Sequence, residues 1–209
     1  MPSISYVITA HNEHKELERL LDQLNQYIES EDEILVQLDT KCTPEVKNVA
    51  EKYNTGSHYN YHRIHYDLNN DFAAFKNNAK GFCSKDYIFF IDADEYLTEN
   101  LLVNLKIVLE ANPAVDVMLV PRINTVEGLT QEHINKWGWR VDDKGYINYP
   151  DYQTRICKRD KDILWSGHVH ERLIMNKKGI ITAFPDGFEL IHPKTIERQE
   201  KQNNYYNSI

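Results

Sequence analysis

The chain has 209 residues, is 41% hydrophobic and carries a formal net charge of −8. That length suits one sizeable domain, and the acidic balance argues against nucleic-acid binding as its main role. No run reaches the ~18 apolar residues of a membrane span, and the start, MPSISYVITAHNE, lacks the basic region and apolar length of a signal peptide.

Ile4 to Thr9 reads as a first strand, broken by Ala10-His11-Asn12-Glu13, with Asn12 placed to cap a helix. Leu17, Leu20, Leu21, Leu24 and Ile28 then recur at helical spacing and define one buried face. Glu33 to Leu38 is a second buried strand that ends at Asp39. Thr43-Pro44 opens the next helix, the threonine as cap and the proline in the first turn. Tyr61 to Tyr66 reads as a short third strand, and Phe72, Phe75, Ala79 and Phe82 mark another amphipathic helix.

Tyr87 to Ile91 is a continuous apolar, β-favouring run, as expected of a strand buried on both faces in a parallel sheet. It ends in Asp92-Ala93-Asp94-Glu95. Like charges this close repel and are costly to desolvate, so they need a counter-charge. In an extended chain Asp92 and Asp94 point to one side, and Ala93 between them leaves room for a ligand. Hard oxygen donors of this kind suit Mg²⁺ or Mn²⁺, ions that usually also hold a substrate's phosphates. The structural alternative is an acidic strand-to-helix turn, with an aspartate or Thr98 capping the helix marked by Leu101, Leu102, Leu105 and Leu109. Val115 to Val120 is a further strand, stopped by Pro121.

Strand and helix in alternation predict a three-layer α/β/α arrangement with a mostly parallel twisted sheet. Ligands in such sheets sit beyond the carboxyl ends of the strands. His11, Asn12 and Glu13, then Asp39, then Asp92, Asp94 and Glu95 all fall there, which predicts one pocket fed by three loops.

From Arg122 the pattern changes. Residues 122–150 read as a long polar and aromatic loop with Trp137, Trp139, Tyr146 and Tyr149, its rings either facing a sugar or base or packing as a satellite core. Gln153 to Lys158 and Ile163 to Trp165 read as a hairpin turned at residues 159–162. Gly167-His168-Val169-His170-Glu171 carries metal-binding or acid–base groups; strand alternation would aim His168 and His170 to one side and Glu171 to the other. Ile180 to Phe184 and Phe188 to Ile191 are short strands, the second ending in His192-Pro193, and the polar tail from Lys194 to Ile209 reads as a surface helix. Cys42, Cys83 and Cys157 show no CxxC or zinc spacing, so free thiols in a reducing compartment are expected.

The series SYVITAHNE (5–13), ILVQLDTKCT (34–43), FAAFKNNA (72–79), FFIDADEYL (89–97), YQTRICKR (152–159), GHVHERL (167–173) and ELIHPKT (189–195) resembles glycosyltransferase family 2, over nearly the whole chain. The late Arg, His-Glu and His series is similar to the branch that includes lipopolysaccharide-core and peptide glucosyltransferases. The resemblance implies a GT-A fold in one domain, residues 1–209. Residues 1–121 would bind the nucleotide sugar, and residues 122–209, with a smaller β-hairpin region, would receive the acceptor. It implies an inverting transferase using Mn²⁺ or Mg²⁺ and a nucleotide-diphosphate sugar, with uridine as the base. By position, Asp39 would read the base, while Ala10, Asn12, Glu13, Lys76, Asn77, Asp92 and Ala93 would line the donor site. Asp92, Asp94 and His192 would hold the metal, with His170 as the second choice of histidine, and Glu171 would be the general base. The acceptor stays open among a glycan, a lipid-linked sugar and a protein. The expected location is the cytoplasm, a host's cytoplasm for a virus-encoded chain. Two other functions remain: a nucleotidyltransferase on a similar sheet, and a non-catalytic nucleotide-sugar or glycan binder.

Overall fold

In the computed structural model, which describes residues 1–55 and 60–206, the apolar runs of the first half lie side by side. The first half contains β1 (Ile4–Ala10), α1 (His14–Tyr27), β2 (Glu33–Asp39), α2 (Pro44–Thr55), β3 (Tyr61–Tyr66), α3 (Phe72–Lys80), β4 (Tyr87–Asp92), β5 (Tyr96–Leu97) and α4 (Glu99–Ala111). The second half contains β6 (Val117–Glu127), α5 (Gln131–Trp137), β7 (Ile147–Lys158), β8 (Ile163–Ser166), β9 (Arg172–Met175), β10 (Ile181–Ala183), β11 (Leu190–Thr195) and α6 (Ile196–Tyr206). The main sheet runs β3-β2-β1-β4-β7-β6-β11-β5, with β10 also on β6.

Alternation along the strands builds two cores. Ile4, Tyr6 and Ile8 of β1 and Phe89 of β4 join Leu17, Leu20, Leu21 and Leu24 of α1, Val46 of α2 and Leu101 of α4 on one face. Val7, Ile88 and Phe90 point the other way, onto Ala73 and Ala79 of α3 and Ile163 and Trp165 of β8. Covered on both faces, β2 is buried at every residue, which is why these strands read as unbroken apolar runs. Each fully buried leucine contributes on the order of 2 kcal/mol to this layering.

The sheet is parallel from β3 through β4, and antiparallel where β7 inserts between β4 and β6. Both edges of β7 are thus occupied, so it does not form the expected hairpin with β8. Instead β8 pairs with β9 in a separate two-stranded sheet, with Ser166 opposite Arg172. The expected turn at residues 159–162 connects two sheets, and the true hairpin encloses residues 167–171.

Pro121 does not stop β6, which continues to Glu127. On one side Pro121 pairs with Tyr152 of β7. On the other, β10 pairs through Leu119 and β11 begins at Arg122, so Pro121 falls in a gap in the ladder where its missing N–H costs nothing. Likewise β11 runs through Pro193 to Thr195.

The expected long loop is mostly regular: it holds the end of β6, all of α5 and the start of β7. Thr130 and His133 cap α5 reciprocally, a capping box with histidine where glutamate or glutamine is usual. The cap of α1 also differs from expectation. Glu13, not Asn12, precedes the helix, and its carboxylate accepts from the backbone N–H groups of His11 and Asn12 at 2.8 and 2.9 Å. Thr43 accepts from Val46 N at 3.5 Å, as expected of a cap. The three cysteines are free and buried. Among the described residues, no helix is long and apolar enough to cross a membrane. Of the polar tail expected to be helical from Lys194, Lys194 and Thr195 still belong to β11, Ile196–Tyr206 form α6, and residues 207–209 lie outside the described residues.

Candidate active site

The carboxyl ends of β1, β2 and β4 open into one cavity of about 550 Å³, a size usual for small-molecule sites. Ala10, His11, Glu13, Asp39, Lys76, Asp92, Ala93, Asp94, His170, Glu171 and His192 all line it. Asn12 and Asn77 do not. Asn12 is exposed, and Asn77 exchanges two hydrogen bonds with the backbone of Trp165, fastening β8 to α3.

Asp39 is buried at the end of β2, where Oδ1 accepts from the backbone N–H groups of Lys41 and Leu68. Its Oδ2 stands 2.9 Å from His11 Nδ1. This end of the cavity is therefore a carboxylate framed by two loops.

Asp92 sits between two cations. Its Oδ1 is 3.0 Å from Lys76 Nζ and its Oδ2 is 2.6 Å from Arg155 Nη2. Burial works against its charged form, but Arg155 and Lys76 overcome this and hold its carboxyl well below the usual carboxylate range. Lys76 continues to Glu171 Oε1 at 2.7 Å and lies over the Trp165 ring. Below the cavity floor, fully buried Glu95 joins Arg155 and Arg122. Burial opposes the charge on Arg155 too, yet Asp92 and Glu95 raise its pKa further.

Asp94 faces a different set. Its Oδ2 lies 3.2 Å from His192 Nε2 and 3.3 Å from Arg198 Nη2, and Oδ1 carries no hydrogen bond among the described residues. Against the cost of burial, His192, Lys194 and Arg198 depress the Asp94 carboxyl strongly.

The other ring nitrogen fixes the histidine. His192 Nδ1 is 2.8 Å from Asn124 Oδ1, and Asn124 Nδ2 donates to Asp151 Oδ2 at 2.9 Å. Asp151 also accepts from Arg122 Nε and Nη2, so its oxygen orients the amide. With the amide oxygen turned to His192, Nδ1 must carry the proton. In the neutral ring, the Nε2 lone pair then points at the Asp94 carboxylate. Two acceptors 3.2 Å apart require a proton or a metal cation to hold them together. The donor set therefore fits a hard divalent ion that takes two protein ligands and completes its shell with phosphate oxygens and water. Among the described residues, no three His, Cys, Asp or Glu side chains form a ready-made metal cage. Asp92 is beside this pair with both oxygens on cations, as no motif indicates.

Residues 167–171 are not extended. Gly167 (φ +104°) and His170 (φ +56°) turn the backbone, so strand alternation does not apply. His170 and Glu171 both reach the cavity, while His168 is 81% exposed and pairs with Asp71. Asn124, Asp151 and Arg198 lie outside the motifs of the sequence, while Arg155 and Lys194 fall inside YQTRICKR and ELIHPKT without a role that the motif signals. Only the polar alternation of Arg122 and Asn124 beyond Pro121 signals part of the set.

The profile of the family described as Glycosyl transferase family 2 matches residues 5–177. Among curated proteins nothing matches. Among solved structures, S. aureus TarS 1-349 in complex with UDP-GlcNAc aligns with TM-score 0.63 at 18% identity, covering 92% of this chain and 58% of that one. The same TarS fragment without that ligand gives 0.61 at 16% identity, covering 91% of this chain and 60% of that one. The mannosyltransferase PcManGT from Pyrobaculum calidifontis in complex with GDP-Man and Mn²⁺ gives 0.51 at 18% identity, covering 58% and 36%. At these identities the likeness is one of fold, the GT-A fold, and the chain spans about 60% of the length of the TarS fragment.

Proposed function

This chain belongs to glycosyl transferase family 2, and from that premise we propose that it transfers a sugar from a nucleotide-diphosphate donor, with inversion, using a divalent cation. The observation that carries the proposal is the Asn124–His192–Asp94 chain, in which a proton fixed on Nδ1 leaves Nε2 free to share a cation with a carboxylate. Asp94 and His192 would hold Mn²⁺ or Mg²⁺, with Asp92 at its edge because Lys76 and Arg155 already engage both Asp92 oxygens. When bound, the ion supplies Lewis-acid assistance to departure of the diphosphate. The ligands named for the similar structures, UDP-GlcNAc and GDP-Man with Mn²⁺, agree with a nucleotide-sugar donor.

Asp39 would accept from the base, with uridine the first choice. Ala10, Glu13 and Ala93 line the same donor side. Residues 1–121 would form this half, and residues 122–209 would contribute the acceptor side. Glu171 would be the general base. Lys76 anchors its Oε1, and Oε2 carries no hydrogen bond among the described residues. Glu171 would take the proton of an acceptor nucleophile as that atom attacks the anomeric carbon. The new bond forms on one face while the bond to the diphosphate oxygen breaks on the other, which inverts the centre. Buried free thiols suit the cytoplasm.

A thermal-shift panel of nucleotides and nucleotide sugars, with and without Mn²⁺ or Mg²⁺, tests this. A ligand at 100 times its dissociation constant adds about 2.7 kcal/mol of stability. Stabilisation by a nucleoside diphosphate or its sugar that requires metal, followed by metal-dependent donor hydrolysis or transfer, is the expected result. Stabilisation by triphosphates alone would point to a nucleotidyltransferase, and binding with an intact donor to a binding protein.

A further inference from the structure

We propose that Lys194 is a diphosphate-binding residue of the donor site, its ammonium hydrogen-bonding a non-bridging oxygen of the leaving diphosphate beside the Asp94–His192 pair. The inference rests on the transferase function proposed above and extends it to a residue of the ELIHPKT segment that has been given no role so far.

Strand geometry places the residue. Along β11, Leu190, His192 and Lys194 are buried in alternation, so His192 and Lys194 share one face roughly 7 Å apart along the strand. Both line the cavity with Asp94. Lys194 is 8% exposed, and burying an ammonium is costly unless an anion meets it. The other buried cations of the site have that anion: Lys76 has Asp92 and Glu171, while Arg155 has Asp92 and Glu95. Lys194 has none within ion-pair distance among the described residues. Its Nζ donates to the neutral amide oxygen of Gln202. Arg198, from the first turn of α6, reaches Asp94 as well, but it is also paired with Glu16 and Glu13.

A buried, cavity-lining cation that feels Asp94 only from beyond ion-pair distance and is held directly by a neutral amide has a place for an anion in contact with it, and a departing diphosphate is such a partner. One divalent ion neutralises only part of the charge that develops as the anomeric carbon–oxygen bond breaks and its electron pair moves to the phosphate oxygen. The Lys194 ammonium would stabilise that charge by hydrogen bonding a non-bridging oxygen of the diphosphate, over which the charge spreads, with no proton transferred.

The experiment uses the full chain, Lys194→Met and Lys194→Gln. Calorimetry with Mn²⁺ present measures UDP, GDP and inorganic pyrophosphate, and thermal melts are taken without ligand. Removing one charge-assisted hydrogen bond should weaken the bound diphosphate roughly 10- to 100-fold. Mn²⁺ alone should bind both variants at least as tightly as it binds the wild type, because a like charge beside the ion is gone. The ligand-free melting temperature of Lys194→Met should hold or rise, the signature of a charge kept for ligand binding rather than for folding. Diphosphate affinity within twofold of wild type in folded variants would overturn the proposal, and so would failure of both variants to fold, which would make the ammonium structural. If wild-type protein binds none of the three diphosphates with Mn²⁺, the transferase function falls together with this inference. Wild-type binding with unaffected variants removes only the role of Lys194.

Discussion

Asn124→Leu separates the support of the candidate metal pair from the pair itself. Asn124 touches His192 Nδ1 at 2.8 Å and has no part in the Asp94 contact. Leucine nearly keeps the volume but removes the acceptor that fixes the ring tautomer. Losing one neutral hydrogen bond costs about 1 kcal/mol, and the freed tautomer adds to this. Removing such a supporting partner of a ligating histidine typically lowers metal affinity about 10- to 100-fold, or ~1.4–2.7 kcal/mol. The fold should survive, because Asp151 retains both of its Arg122 hydrogen bonds. Electron paramagnetic resonance of free Mn²⁺ during titration gives the affinity directly, and the nitrogen shifts of His192 report the tautomer. A folded Asn124→Leu protein that binds Mn²⁺ within twofold of wild type would refute the reasoning.

Glu171→Gln should leave donor binding intact and slow transfer about 10²- to 10⁴-fold; near-normal turnover would place the base elsewhere. Lys76→Met leaves Glu171 without its counter-charge and Asp92 with Arg155 alone. The expected loss, on the order of 3 kcal/mol, is read from urea midpoints, and an unchanged midpoint would contradict the burial argument. Acid should weaken the fold through Asp151, whose carboxyl burial would raise but Arg122 and Asn124 hold below the usual range. A folded-state pKa below the unfolded value of about 3.9 stabilises the protein above that value. The stabilisation is lost as pH falls through the folded one. Asp151→Asn should therefore show a shallower decline of stability below about pH 4, and an identical decline would count against the Arg122 pairing.

The first half of the fold is legible because β1, β2 and β4 are covered on both faces, which writes their burial into the sequence as apolar runs. The second half is less so. Pro121 reads as a stop, yet it falls where β10 ends and β11 begins on β6, a gap set by strands that arrive some 60 residues later in the chain. The β7–β8 hairpin looks plausible because local order cannot show that β4 and β6 already flank β7. At the site, Asp39, Asp94, Glu171 and His192 are visible through motifs at strand ends. Their supports are not: Asn124 and Asp151 lie outside the motifs, and Arg155 and Lys194, though inside them, take their meaning from cross-strand neighbours. The placement of His168 fails for a local reason. Alternation presumes an extended chain, and Gly167 and His170 turn it.

The most direct test of the central claim is a calorimetric titration of nucleoside diphosphate into wild-type and Asp94→Asn protein, each with and without Mn²⁺. The expected result is binding by the wild type that requires Mn²⁺, and loss of that metal-dependent binding in a folded Asp94→Asn protein, whose carboxylate no longer shares a cation with His192. Equal affinity in the two proteins, or wild-type binding that ignores Mn²⁺, would contradict it.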